Sequence, residues 1–154
     1  MKPKSKIKSE AVDPARSAQM ARVRGVDTKL ELRVRRALHQ AGLRYRLHDK
    51  HLPGRPDIVF SSRKIAVFVH GCFWHRHDDP ECKLARLPKS RQDFWIPKLE
   101  GNRERDIRNI ARLEKLGWHP IVVWECQVGR ESFFATLVRK IKTISPQKIR
   151  GGAN

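Results

Sequence analysis

Pro56-Asp57-Ile58-Val59-Phe60, then Ser61-Ser62-Arg63, then Lys64-Ile65-Ala66-Val67-Phe68-Val69-His70 is the stretch on which the fold turns. Two β-rich runs separated by three polar residues read as a hairpin. Upstream, His51-Leu52-Pro53-Gly54-Arg55 is turn chemistry, preceded by a short strand over 43–47. Thr28-x-x-Glu31 has the form of a capping box. It opens a helix whose Leu30, Val34, Ala37, Leu38 and Ala41 share one face and which Gly42 ends. Asp13-Pro14, a capping Asp with Pro at the first helical position, predicts an earlier helix to about Arg24. Downstream, 71–96 is irregular and crowded with Cys, His, Pro and aromatics. A helix then runs from Pro97 to Leu116 and is stopped by Gly117. Ile121-Val122-Val123-Trp124 reads as a buried strand, and Phe134, Leu137, Val138 and Ile141 mark a final amphipathic helix. The alternation predicts an α/β domain with a mixed sheet over 13–145, between a flexible basic arm (1–12) and a loose tail (146–154).

The 154 residues suit one compact domain, and 39% hydrophobic content with four Trp and six Phe argues against a disordered chain. The longest apolar run, Ile65-Ala66-Val67-Phe68-Val69, is far short of a spanning helix, so no membrane association is expected. Lysines at 2, 4, 6 and 8 have no apolar segment behind them, so no signal peptide is read and a cytoplasmic setting is expected. Three cysteines cannot all pair within one chain; reduced and near histidines, they point to metal or catalysis. The 34 Lys+Arg against 16 Asp+Glu, a net charge of +18, call for a polyanionic partner without naming a reaction.

Four constellations carry chemistry. Cys72, His77 and Cys82 follow C-x4-H-x4-C, and with Cys126 at the end of the buried strand they make a Cys3His set suited to structural zinc. Unrelated buried cysteines would look the same, and His70 and His75 are rival ligands. Gly54-Arg55-Pro56-Asp57 sets a carboxylate at the start of a strand. Such a group can hold a divalent cation against a phosphodiester, although Pro-Asp is also common in plain turns. His70, at the end of the next strand, adds a second polar group on the same side. At about 100° per residue, Asp106 falls on the apolar stripe of Leu99, Ile110 and Leu113, with Asn102 at its edge. A carboxylate there needs a cation, a histidine or a metal-bound water, although a plain ion pair with one of the many basic residues would serve as well. Phe73-Trp74 lies beside the candidate metal loop and Phe94-Trp95 follows the basic, polar stretch Lys89–Asp93; Trp74 and Trp95 read either as core or as wedges between base steps, while Trp118 and Trp124 are expected in the core.

Taken together, Arg16-Ser17-x-x-Met20, Leu52-Pro53-Gly54-Arg55-Pro56-Asp57, His70-Gly71-Cys72-Phe73-Trp74-His75, Phe94-Trp95, Asn102-x-x-Arg105-Asp106 and Leu116-Gly117-Trp118 through Trp124-Glu125-Cys126 strongly resemble the very-short-patch repair mismatch endonucleases, a branch of the PD-(D/E)XK nuclease superfamily. The resemblance spans roughly 13–126. It implies a restriction-endonuclease-like single domain: a mixed central sheet flanked by helices, with a structural zinc site. It also implies a Mg²⁺-dependent endonuclease that nicks one strand of double-stranded DNA 5′ of the T in T:G mismatches left by deamination of 5-methylcytosine.

By position, Asp57 matches the Mg²⁺-binding carboxylate, with the backbone carbonyl of Val69 completing the contacts. His75 matches the general base, His70 and Asp106 match residues around the metal's water network, and Glu31 matches a further acid in contact with His75. Cys72, His77, Cys82 and Cys126 match the Zn²⁺ set. Phe73, Trp74 and Trp95 match the intercalating aromatics, and Met20, Lys98 and Asn102 match residues around the mismatch. The resemblance further implies a mismatch-repair partner of the MutL type and action at the bacterial nucleoid; a monomer is the default for an asymmetric lesion. The superfamily's second acid and lysine would fall at Phe68 and His70, a loss this branch shares. Asp78-Asp79-Pro80-Glu81 is longer than the family form and leaves Asp78 or Asp79 as alternatives to Cys82. Two other readings compete: a zinc-stapled DNA-binding module without catalysis, and a related nuclease of different DNA specificity.

Overall fold

The computed structural model describes residues 28–148; the basic arm, the 13–24 helix, Met20 and the last six residues lie outside that range. Helix α1 (Lys29–Gln40) begins where Thr28 Oγ1 accepts the Glu31 amide at 3.2 Å. Its Val34 and Leu38 are fully buried, as their spacing requires. Strands β1 (Arg46–Leu47), β2 (Ile58–Phe60), β3 (Ile65–His70) and β4 (His119–Trp124) form one sheet in the order β1-β2-β3-β4. The β1–β2 and β2–β3 pairs are antiparallel, and β3 and β4 are parallel, pairing from Ile65 with His119 to His70 with Trp124. A 3₁₀ turn, Ser61–Arg63, closes the expected hairpin, with Lys64 left-handed at φ 50°. The long helix α2 (Gln92–Lys115) makes the parallel crossover into β4. Helices α3 (Glu125–Val128) and α4 (Phe133–Thr143) follow.

The sheet separates two apolar layers. On one face Ile58, Phe60, Ile65, Val67, Val69, Ile121 and Val123 pack with α1, α3 and α4 through Val34, Leu38, Val128, Leu137 and Ile141. On the other, Ala66 and Phe68 meet Leu113 of α2, with Ile110, Trp118 and Val122 alongside. This is the α/β domain with a mixed sheet between helices that the pattern predicts. Among the described residues no helix is long and apolar enough to cross a membrane.

Three local expectations are corrected. Helix α2 starts at Gln92, so Pro97 lies inside it and Phe94-Trp95 sit in its first turn. Proline there forgoes only the bond to the Asp93 carbonyl, and the turn is closed upstream by the Phe94 and Trp95 amides, each 3.1 Å from the Arg91 carbonyl. Cys126 lies on α3, a four-residue helix too short to show a period, and not on the strand. Trp124 is only half-buried and faces the site described below, whereas Trp118 packs on the second layer. Near the C-terminus the Gln147 amide reaches the Ser62 carbonyl at 2.7 Å, and Arg63 binds the carbonyl of Ile144.

The turn before β2 decides where Asp57 stands. The Arg55 amide donates to the Leu52 carbonyl at 3.1 Å with Pro53 and Gly54 between, and Gly54 has φ +77°. This is the residue order of a type II turn. A Cβ at Gly54 would sit 3.0 Å from Asn109 Cβ and 3.1 Å from the Phe68 ring. Gly54→Ala therefore combines an unfavourable φ with overpacking, and we expect a loss of about 2–4 kcal/mol in urea unfolding. A loss under about 0.5 kcal/mol would show that the turn adapts.

Candidate active site and metal centre

The ends of β3 and β4 and the first turn of the following segment bring two side-chain clusters side by side. Gly71–His77 is a tight loop: the His75 amide donates to the Gly71 carbonyl at 3.1 Å and the His77 amide to that of Cys72 at 2.9 Å. This folds His75 back over His70, their rings stacked at 3.8 Å and 2°. His75 Nδ1 lies 2.6 Å from Asp106 Oδ2. Asp106 thus comes off the apolar stripe of α2 with a histidine as its partner, one of the resolutions its position requires. If Nδ1 donates its proton to that carboxylate, Nε2 of His75 is left with a lone pair. His70 is 4% exposed and its Nδ1 has no hydrogen-bond partner among the described residues. Burial, reinforced by the neighbouring His75 charge and opposed by Asp106, pushes its pKa down to about 3, so the ring is neutral.

Asp57 stands just before β2, its Oδ2 accepting the Val69 amide at 2.7 Å. Burial raises its pKa to about 6; the Val69 hydrogen bond opposes this, Glu31 adds to it, and His48 and His75 offset it. A desolvated carboxylate of this kind is what a divalent cation compensates. Glu31, 3% exposed, meets Arg35 Nη2 at 2.9 Å and His48 Nε2 at 3.7 Å. Ligand atoms of Glu31, His48 and Asp57 lie within 4.8 Å of one another, as do those of His70, His75 and Asp106. Arg35 and His48 were not singled out from the sequence. Arg35 stands four residues after Glu31, the spacing of a helical ion pair, and could have been found. His48 carries no such signal: it reaches the site because its amide donates to the Asp57 carbonyl at 3.2 Å in a left-handed conformation, φ 49°.

Beside this site Cys72, His77, Cys82 and Cys126 gather with their ligand atoms within 4.8 Å of one another. Three thiols and an imidazole at that separation fit a tetrahedral zinc-type ion. His70 and His75 are not in the group. Asp78 pairs with Arg103 at 3.0 Å and Asp79 Oδ1 accepts the Glu81 amide at 3.0 Å, so the longer loop still delivers Cys82. Burial pushes the Cys72 thiol up to about 12, an environment that holds the proton until a cation replaces it. The Cys126 amide meets Cys72 Sγ at 3.4 Å, and Glu125 Oε2 accepts the Cys72 amide at 3.3 Å.

The aromatics form a third group. Phe73 and Trp74 are 5.1 Å apart, and Trp95 is 5.4 Å and 6.0 Å from them, all edge-to-face. Phe94 continues the cluster at 5.1 Å from Trp95 and is 44% exposed. Lys98 Nζ lies over the Phe94 and Trp95 rings at 5.4 Å and 6.0 Å, and Asn102 Nδ2 donates to the Trp74 carbonyl at 3.1 Å. Half-buried rings fringed by cations offer stacking surface next to the carboxylate–histidine site.

Comparison with known proteins accords with this geometry. The family model described as DNA mismatch endonuclease Vsr matches residues 9–83. The DNA mismatch endonuclease Vsr of Escherichia coli is 44% identical over 117 residues, 75% of this chain and 73% of that protein. Type II nicking enzymes are similar too: V.XorIIP of Xanthomonas oryzae pv. oryzae is 53% identical over 110 residues, 71% of this chain and 79% of that one. V.NmeAIP of Neisseria meningitidis is 45% identical over 131 residues, 82% of this chain and 91% of its own length. With that much of each relative covered, and with a buried carboxylate, paired histidines and a Cys3His cluster set beside a row of aromatic rings, the chain belongs to the DNA mismatch endonuclease Vsr family and is a DNA-nicking endonuclease.

Proposed function

We propose that this endonuclease nicks 5′ of the T in T:G mismatches produced by 5-methylcytosine deamination, using Mg²⁺ at Asp57 and a structural Zn²⁺ in the Cys72, His77, Cys82 and Cys126 set. The observation that carries the reading is the conjunction of Asp57, its carboxylate desolvated, with the stacked His70–His75 pair held by Asp106. A DNA-binding module without catalysis has no use for that arrangement, and the mismatch reading draws further support from the E. coli relative, whose name is DNA mismatch endonuclease Vsr.

Asp57 and the backbone carbonyl of Val69 would hold the Mg²⁺, which when bound neutralises charge on the phosphodiester and acidifies water. His75 takes the proton of the attacking water on Nε2, its ring oriented by Asp106 through Nδ1. His70 stays neutral, so it adds no competing positive charge to the base stacked on it. Glu31, paired with Arg35, lies with His48 beside Asp57. Phe73, Trp74 and Trp95 wedge between base steps, which costs least at a mismatch, so the same rings give grip and selectivity. Lys98 and Asn102 stand around the opened pair, with Met20 assigned there from the resemblance alone. The surplus of 18 positive charges holds the DNA backbone with strong salt dependence. The protein acts as a monomer in the cytoplasm, at the nucleoid, with a mismatch-repair protein of the MutL type as partner.

The test is incubation with Mg²⁺ and paired duplexes differing only in T:G against C:G. A single nick 5′ of the T, at least about 100-fold faster on the mismatch, is expected, since a mismatched step saves a few kcal/mol of unstacking. Equal nicking of both duplexes would make the protein a nickase of other specificity.

A further inference from the structure

The sequence placed Trp124 in the core, yet it stands between the two clusters and touches both. Its ring is stacked on His77 at 4.2 Å and 17°, and meets the His70 ring edge-on at 5.2 Å and 72°. His70 in turn lies flat on His75 at 3.8 Å, and His75 is bound to Asp106 at 2.6 Å. An unbroken row of rings thus joins the Cys3His set to the base. Two further contacts hold the His77 end and the Trp124 backbone. His77 Nδ1 faces Cys126 Sγ at 3.5 Å, and the Trp124 amide is held by Gln127 Oε1 at 3.1 Å. Trp124 and His70 are also direct partners in the β3–β4 ladder. His70 Nδ1 has no polar partner among the described residues, and packing against His75, Trp124 and the Phe68 ring (5.8 Å, 51°) contributes to its ring plane. The neighbouring cleft, about 360 Å³ and lined by His70, His75, Trp124 and Asp106 among others, opens beside these rings.

We propose that Trp124 is a positioning residue: it fixes the planes of His70 and His75 against the Cys3His set, so that order in the metal centre is felt at the base without any shared ligand. The inference rests on the proposed roles of His75 and of the Cys3His set. A reacting group misplaced by about 1 Å can cost 100-fold in rate.

Trp124→Leu removes the aromatic faces while keeping an apolar side chain, and Trp124→Phe keeps an aromatic face toward both imidazoles. For Trp124→Leu we expect about one equivalent of zinc, an unchanged KM for a T:G duplex, and kcat lower by about 100-fold. Trp124→Phe should recover most of that loss. The imidazole Hε1 resonances of His70 and His75, read by NMR on the DNA-free zinc protein, should shift in Trp124→Leu and return toward wild type in Trp124→Phe. Wild-type kcat in Trp124→Leu, unmoved resonances, or equal loss in both variants overturns the inference and leaves the nicking function standing. Loss of zinc from Trp124→Leu also overturns it, because Trp124 would then act on the metal set itself. A wild-type protein that fails to nick overturns the proposed function and this inference with it.

Discussion

Asp57→Asn is expected to lower nicking of a T:G duplex by at least about 1,000-fold while making the metal-free protein more stable at neutral pH. The asparagine keeps the shape and retains an oxygen to accept the Val69 amide, so the hairpin register survives. What disappears is the charge that would hold Mg²⁺, and losing several kcal/mol of transition-state stabilisation corresponds to about three decades of rate. Binding to the mismatch, which depends on the aromatic cluster and the basic surface, should change by less than about threefold.

The stability gain follows from the same carboxylate. Its pKa is raised from 3.8 to about 6 mainly by burial, so between these values the folded protein holds a proton that the unfolded chain has released. Stability from this group therefore falls as pH rises through about 4 to 6, and the full penalty is present above that window. Allowing for the carboxylate's partial exposure, the penalty is about 1–2 kcal/mol. The difference between wild type and Asp57→Asn should be near zero below about pH 4, grow to that amount by pH 7, and shrink again in the wild type when Mg²⁺ is added. Urea unfolding at pH 4, 6 and 7.5, with and without Mg²⁺, measures it. A variant that is less stable than wild type at pH 7.5 without metal, or that still nicks, would remove Asp57 from the role given to it.

Most elements were legible because they rest on local signals. Leu30, Val34, Ala37, Leu38 and Ala41 give α1 by period, Gly42 and Gly117 end their helices with positive φ, and the run from Ile65 to Val69 is a strand. The errors fall where a long-range contact overrides a local rule. Pro97 reads as a helix start, yet the Arg91 carbonyl begins the turn six residues earlier. Trp124 reads as core by residue type, yet strands alternate, and Ile121 and Val123 take the core face and leave Val122 and Trp124 toward the other. Within the site, Asp57, His70, His75 and Asp106 were each visible singly, by motif or by helical phase. Their mutual geometry was not, because it depends on the Gly71–His77 loop turning back through a left-handed Arg76, φ 53°, and on that residue's Nε meeting Glu100 at 2.9 Å. Glu31 shows the limit most clearly. Thr28 supplies the cap its spacing implies, but the buried carboxylate beyond it meets Arg35 and His48, a contact set by the β1–β2 connection.

Cys126→Ser should have an effect of a different kind, removing architecture where Asp57→Asn removes chemistry. The Cys3His set ties two neighbouring segments, the loop after β3 and the 3₁₀ turn beginning at Lys83, to α3, which is distant in sequence. Cys72 and Cys82 are the buried hydrophobic residues of the 71–91 stretch, which is otherwise held by partly exposed polar and ring contacts such as Arg76–Glu100 and Phe73–Trp95. A serine hydroxyl is a poor ligand for a soft-leaning ion, and one lost thiolate of three should drop zinc from about one equivalent per chain to a small fraction. Structural zinc contributes to folding outright, so the variant should lose about 3 kcal/mol or more, a fall in Tm of about 10 °C. Because the same loop carries Phe73, Trp74 and His75, mismatch binding and nicking should fail together, whereas Asp57→Asn should lose nicking with binding intact. Metal analysis, thermal melting and duplex binding on the two variants separate these outcomes. A full equivalent of zinc retained in Cys126→Ser would refute the ligand set. Nicking lost with binding preserved in that variant would show that the metal centre supports the base and not the aromatic wedge, although one short loop holds both.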